Sequence, residues 1–294
     1  MSTSLDGLVA VVTGAGQGLG RAEAMGLAAA GARVVLNDIG GSAAEVAKEI
    51  TDAGGTAVAH PGDIGDWDYA DSLIGRAISE YGDLNILVNN AGFLRDKMIF
   101  SLNEEDWDAV VRVHLKGHAA TSVSATRYWR DRSKAADAPV YARVINTASE
   151  AAIFGSPGQP NYAASKSGIV ALTMATAGGS GRYGVRANVI APRARTAMTE
   201  QAFAQVPTGD GIDPYAVEHV APLVTFLASP AAEHITGQFF LIYGGKVGYF
   251  KAPELAATFA AKGDTWTAEE LAETLGGSME PGMQGFAAST KLSL

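Results

Sequence analysis

Apolar residues in this chain fall into short continuous runs that alternate with longer stretches of helical period. Leu8-Val9-Ala10-Val11-Val12 is the first run, unbroken in the way a strand buried on both faces requires. Comparable runs recur over 33–38, 56–60, 84–88, 141–147, 185–190 and 238–243. Helices are predicted between them: an Ala-rich segment ending near Gly31, then 40–54, where Ala44, Val46, Ala47 and Ile50 form the apolar stripe, and 67–81. Further helices are expected over 103–132, with Trp107, Val110, Val111, Val113 and Leu115, over about 161–183, and over 214–228. Strands that alternate with helices predict an α/β fold, a doubly wound parallel seven-stranded sheet with helices on both faces.

The rhythm breaks after residue 249, so the reading is one domain over 1–249 and a C-terminal extension over 250–294. In the extension a helix is expected over 251–262, and Trp266-Thr267-Ala268-Glu269-Glu270-Leu271 looks like a capped helix start. Phe250, Leu255, Phe259, Trp266, Leu271 and Phe286 are too many large apolar side chains for a free tail. The extension is therefore expected to pack on its own or a neighbouring subunit.

Composition narrows the function classes. The chain has 294 residues, 47% of them apolar and 18% charged, enough for a sizeable core. It has no cysteine, which excludes disulfides, thiolate nucleophiles and Cys-ligated metal sites, and no metal site is read from the sequence. The start, MSTSLDGL, lacks the basic and apolar regions of a secretory signal, and no apolar run reaches the roughly 18 residues of a membrane helix. A cytoplasmic location is expected. The net charge of −9 argues against general nucleic-acid binding, which needs a basic footprint.

The first strand runs into Thr13-Gly14-Ala15-Gly16-Gln17-Gly18-Leu19-Gly20 and then a helix. Glycines there let the backbone turn sharply and approach a pyrophosphate, which the free N–H groups of the helix start would bind. The spacing is T-G-x-x-x-G-x-G, not G-x-G-x-x-G. The second strand ends on Asp38, whose carboxylate can accept from the ribose hydroxyls of a dinucleotide and would repel a 2′-phosphate, favouring NAD over NADP. Asp63-Ile64 follows the third strand, where an adenine ring would lie, and Asn89-Asn90-Ala91-Gly92 ends the fourth. The irregular stretch from Arg193 to Asp213, with Pro207, Gly209 and Gly211, has the length of a lid or binding segment.

Tyr162 and Lys166 are four residues apart, on one face of a predicted helix, and Ser149 precedes Tyr162 by thirteen positions. A phenol titrates near pH 10, too high for a base at neutrality, and a neighbouring ammonium would bring that value down. Ser149 would hydrogen-bond the reacting oxygen of an alcohol or carbonyl.

Together these motifs, over residues 8–245, resemble the short-chain dehydrogenase/reductase family. The resemblance implies a Rossmann-type fold, NAD as cofactor, Ser149, Tyr162 and Lys166 as catalytic residues, and a homodimer or homotetramer joined through the long helices. It implies Gly14, Gln17, Gly18, Leu19, Gly20, Asp38, Asp63, Ile64, Asn90, Ala91, Gly92, Tyr162, Lys166, Pro192 and Thr196 as cofactor contacts. His114 stands where many members carry a relay asparagine, and it either joins the proton relay or packs. A narrower resemblance, carried by 93–98, 112–117, 158–162, 219–224 and the tail from Trp266 to Thr290, is to the (3R)-hydroxyacyl-CoA dehydrogenase unit of peroxisomal multifunctional enzyme type 2. It implies NAD-linked oxidation of a (3R)-3-hydroxyacyl-CoA, and in some relatives of 17β-hydroxysteroids. A 3-oxoacyl-carrier-protein reductase, another short-chain alcohol or steroid dehydrogenase, and a cofactor-binding regulator without turnover are the other readings.

Overall fold

The computed structural model describes residues 2–200 and 213–277. Seven parallel strands form where the apolar runs predict them: β1 (Val9–Thr13), β2 (Arg33–Asn37), β3 (Thr56–Ala59), β4 (Ile86–Asn89), β5 (Ala142–Thr147), β6 (Val185–Pro192) and β7 (Phe239–Tyr243). An eighth strand, β8 (Lys246–Phe250), pairs antiparallel with the edge of β7. The sequence reading missed it. Its signal is the Gly244-Gly245 pair between two apolar runs, with Gly244 at φ 51°, which suits a tight hairpin.

Strand order across the sheet is β3-β2-β1-β4-β5-β6-β7-β8. The connections wind outward in opposite directions from β1 and β4, which opens a crevice at the carboxyl ends of those two strands. The helices are α1 (Gly18–Ala29), α2 (Ser42–Asp52), α3 (Trp67–Tyr81), α4 (Glu104–Val111), α5 (Gly117–Ala136), the short α6 (Ala151–Phe154), α7 (Pro160–Ser180) and α8 (Ala221–Ala228). α1, α2 and α8 bury Leu27, Ile50 and Val224 against one face of the sheet. On the other face α3 and α5 bury Leu73 and Trp129, and α7 adds Ile169. Both faces are therefore closed, as continuous apolar strands demand.

The predicted 103–132 helix is one continuous rod interrupted by a π-helical segment, Arg112–Lys116, between α4 and α5. Asn103 caps its start by accepting from the Asp106 N–H at 2.8 Å. The expected 214–228 helix is shorter, because only Ala221–Ala228 is α-helical and a 3₁₀ turn over Val217–His219 precedes it.

In the extension, Thr267 caps α9 (Ala268–Leu275), its Oγ1 accepting from Glu270 N at 3.1 Å. The helix expected over 251–262 is absent, since that segment has no regular structure. Leu255 and Phe259 are 84% and 41% exposed, so no tertiary face supports a helix there, and a short helix without one is marginal. Phe250 does pack back, 4.7 Å from Phe239 by ring centroids. The Pro207, Gly209 and Gly211 part of the predicted lid, and Phe286 with the rest of the tail, lie outside the described residues. Among the described residues no helix is long and apolar enough to cross a membrane.

Candidate active site

The crevice between β1 and β4 opens into a cleft of about 470 Å³. Its floor is the turn from β1 into α1. Gly14 has φ 63°, and a Cβ there would meet the Ala91 Cα at 2.7 Å; a Cβ on Gly20 would meet the Gly14 carbonyl at 2.2 Å. The glycines thus let β1, α1 and the end of β4 close on one another and leave the α1 N-terminus facing the cleft. Thr13 Oγ1 accepts from the N–H groups of Asn90 and Ala91 at 3.0 and 3.1 Å, and Asn90 Nδ2 donates to the Thr13 and Gly14 carbonyls. These bonds fix the two strand ends against each other.

At one end of the cleft the Asp38 carboxylate accepts from Gly16 N at 2.9 Å and from Ile39 N at 2.8 Å. Asp63 accepts from Gly65 N at 2.8 Å and from Arg112 Nη2 at 2.6 Å, and the arginine pair and that main-chain bond hold it below the usual carboxylate range against the opposing effect of burial. Ile64 lies beside it in the wall. Exposed Ile39 and the Arg112 side chain also line this end, and sequence reasoning did not single out either of them.

At the other end, β5 delivers Ser149 and α7 delivers Tyr162 and Lys166. A buried network braces this region: Asn89 Nδ2 donates to Asn146 Oδ1 at 2.9 Å, Asn146 Nδ2 to Thr173 Oγ1 at 2.8 Å, and Thr121 Oγ1 to Asn89 Oδ1 at 2.7 Å. It ties β4 and β5 to α5 and α7, so α7 cannot shift independently of the sheet. Ser149 stands beside the Tyr162 phenol, near enough to favour its ionisation, and its Oγ accepts from Ala151 N at 3.2 Å. Lys166 Nζ lies 5.4 Å from the Tyr162 ring centroid and donates to the Thr147 carbonyl at 2.6 Å.

The expected lowering of the phenol is not what this geometry gives. Burial pushes Tyr162 up to about 12, with Ser149 beside it working in the opposite direction. Burial also brings the Lys166 ammonium down to about 7, so near neutrality much of it is uncharged and its pull on the phenol is weak. His114 sits in the π-helical segment, buried, with its ring edge-on to Tyr162 at 5.3 Å. Its Nε2 lies 2.8 Å from the Phe93 carbonyl and 3.0 Å from the Phe93 N–H, and burial holds it neutral, down to about 3. A Cβ on Gly92 would fall 2.1 Å from the His114 ring, so that glycine makes room for the imidazole.

Of the residues predicted from sequence, Gly14, Gln17, Gly18, Leu19, Asp38, Asp63, Ile64, Asn90, Ala91, Gly92, His114, Tyr162, Lys166, Pro192 and Thr196 all line this one cleft. Gly20 does not reach its surface and acts in the packing beneath. Ser149 is not among the lining residues and stands behind the cleft wall beside Tyr162.

The family model described as short chain dehydrogenase matches residues 8–207. The chain belongs to the short-chain dehydrogenase family. It is an oxidoreductase of a family that binds a nicotinamide dinucleotide and acts on small molecules, and the Gly14–Gly20 cradle, the free α1 N-terminus and the anchored Asp38 fit such a group. The dehydrogenase is 50% identical over 283 residues to hydroxyacyl-CoA dehydrogenase ChsB1 of Mycobacterium tuberculosis, covering 93% of this chain and 89% of that protein. It is 37% identical to peroxisomal multifunctional enzyme type 2 of Mus musculus, over 83% of this chain but only 32% of that larger protein. The crystal structure of a short chain dehydrogenase from Mycobacterium avium superposes with a TM-score of 0.83 at 45% identity, covering 92% and 93% of the two chains.

Proposed function

We propose that this dehydrogenase oxidises a (3R)-3-hydroxyacyl-CoA to the 3-oxoacyl thioester with NAD. The observation that carries the substrate class is the likeness to a hydroxyacyl-CoA dehydrogenase over nearly the whole chain. A bound nicotinamide dinucleotide supplies the hydride acceptor. Gly14, Gln17, Gly18, Leu19 and the α1 N-terminus would hold its phosphates, Asp38 its adenosine ribose, and Asp63 and Ile64 its adenine. Asn90, Ala91, Gly92, Pro192 and Thr196 would line the rest of its path. Ser149 holds the substrate hydroxyl oxygen, and Tyr162 takes the hydroxyl proton as a phenolate, a form that burial disfavours and that a charged Lys166 must restore, as the C–O bond gains carbonyl character. Lys166, when charged, stabilises that phenolate and would hold the nicotinamide ribose. His114 stays neutral, so any part it takes in proton transfer passes through one ring nitrogen at a time. A panel of 3-hydroxyacyl-CoA, 17β-hydroxysteroid and simple secondary alcohols, followed by reduced-cofactor absorbance, tests the reading. Thioester turnover well above the others supports it, and preference for a steroid or simple alcohol sinks it.

The dehydrogenase is further proposed to act as a homodimer or homotetramer in which the extension reaches a neighbouring subunit. Leu255 and Phe259 find little cover on their own subunit, which supports the across-subunit arrangement. Removing residues 251–294 is then expected to lower the number of subunits per particle that light scattering gives, the mass divided by that of the shortened chain. An unchanged number of subunits argues against it.

A further inference from the structure

Helix α1 carries Glu23 on the stripe that faces the sheet, between Gly20 and Leu27, where its neighbours Ala24 and Leu27 form apolar core. Glu23 is 0% exposed, and neither carboxyl oxygen has a hydrogen-bond partner among the described residues. A buried carboxyl without partners is costly, and alanine, leucine or methionine would serve the helix at less cost. Thr147 sits on the same side of the sheet. Its strand neighbour Asn146 points to α7, so Thr147 and Ile145 point to the α1 side, and the Thr147 hydroxyl is likewise buried and unpartnered. The carbonyl of this same Thr147 receives the Lys166 ammonium at 2.6 Å. Buried, unpartnered His114 Nδ1 and His118 Nε2 lie within the field of Lys166 from the opposite side. Among the described residues, the buried side-chain atoms left without partners, arginine Nε atoms aside, are those of Glu23, Thr147, His114 and His118.

We propose that Glu23 is a positioning residue that sets the charge of Lys166, the two buried groups holding a proton between them from opposite sides of the Thr147 main chain. The proposal rests on the reading of Lys166 as a catalytic residue. The charges around the pair leave Lys166 as the cation that acts on Glu23. α8 and β1 carry no ionisable side chain, and Arg33 of β2 donates to the Tyr81 and Gly7 carbonyls. On α2, Glu49 pairs with Arg21, Lys48 pairs with Asp52, and Glu45 is exposed. On the turn before α8, His219 bonds the Asp213 carbonyl and Glu218 is exposed. Around Lys166 stand Tyr162 on its own helix and the neutral His114 and His118, while Asp106 on α4 is paired with Lys97.

Burial pushes Glu23 up to about 8, the Lys166 charge working against it, and brings Lys166 down to about 7, with Glu23 working to raise it. When the pair has lost one proton, the other can sit as ammonium beside carboxylate or as amine beside carboxylic acid. The carboxylate thus preserves a fraction of ammonium to higher pH than burial alone allows. A neutral residue at 23 removes that support.

The test compares full-length wild type with Glu23→Gln and Glu23→Leu. In both variants the alkaline limb of kcat/KM for NAD-linked oxidation is expected to move down by about one pH unit, with KM for NAD rising at alkaline pH. Glu23→Asp, which keeps a carboxyl, should partly restore the wild-type limb. A second readout needs no turnover. The folded-state value of Glu23 lies above its ordinary 4.5, so the folded protein binds the proton more tightly, and the associated stability falls as pH rises from 4.5 through about 8. Wild-type melting temperature should decline across that window, and Glu23→Gln should flatten the decline. Limbs that superimpose on wild type, or a melting profile unmoved by Glu23→Gln, overturn the proposal. Wild type that oxidises none of the alcohols tried refutes the assignment of function instead, and the melting profile still judges Glu23.

Discussion

Replacing Tyr162 with phenylalanine is expected to lower kcat on a 3-hydroxyacyl-CoA by about 10²–10⁴-fold, the usual contribution of a positioned base. The phenol stands beside Ser149, and in the proposed mechanism the pair sets where a substrate oxygen sits. His114 and Lys166, the titratable side chains placed against the phenol ring, are poor substitutes. Burial makes His114 a weak base, down to about 3, and its Nε2 is engaged with Phe93, while Lys166 is committed to the Thr147 carbonyl. The phenylalanine ring keeps the edge contact with His114, so NAD affinity should change little, and fluorescence titration of NAD reads that directly. Near-normal turnover in the variant would remove Tyr162 from the chemistry.

Replacing Asp38 with serine should bring the NAD and NADP efficiencies together by about 10–100-fold, the scale of one hydrogen bond to a charged group. The carboxylate is fixed by Gly16 N and Ile39 N, so it cannot swing away from a 2′-phosphate. A Cβ on Gly16 would fall 2.0 Å from Ser42 Oγ and 2.8 Å from Asp38 Oδ2, which leaves the loop little room to relax. Serine keeps a hydroxyl for the ribose but removes the charge. Equal efficiency with both cofactors in the wild type would show that Asp38 does not discriminate.

Much of this was legible because the parallel strands are buried on both faces and read as continuous apolar runs. The glycine turn, Asp38 and the Tyr162–Lys166 pair follow from spacing on elements so predicted. What escaped depends on contacts between distant segments. The π-helical insertion at 112–116 places His114 against Gly92, and no local pattern in Arg112–Lys116 signals it. Arg112 enters the Asp63 end of the cleft only through its pairing with that carboxylate, forty-nine residues away in sequence. The raised phenol comes from burial, which residue spacing cannot report, whereas spacing did expect a nearby ammonium. Glu23 was half visible: three residues after Gly20 and four before Leu27, it falls on the buried stripe, but its lack of partners needs the fold. The missing 251–262 helix has adequate propensity and lacks a surface to pack on. β8 carried a Gly-Gly hairpin signal that went unread.

The account turns on Ser149 and Tyr162 holding one oxygen at a fixed end of the cleft, so that the single carbinol hydrogen of a secondary alcohol points along the cleft in one enantiomer only. The most direct measurement is the initial rate of NADH formation from the separate (3R) and (3S) enantiomers of one 3-hydroxyacyl-CoA, repeated with NADP. The account predicts turnover of the (3R) thioester with NAD, little with NADP, and none of the (3S) form. Equal rates for the two enantiomers, or activity confined to NADPH-linked reduction of a carrier-protein thioester, would contradict it.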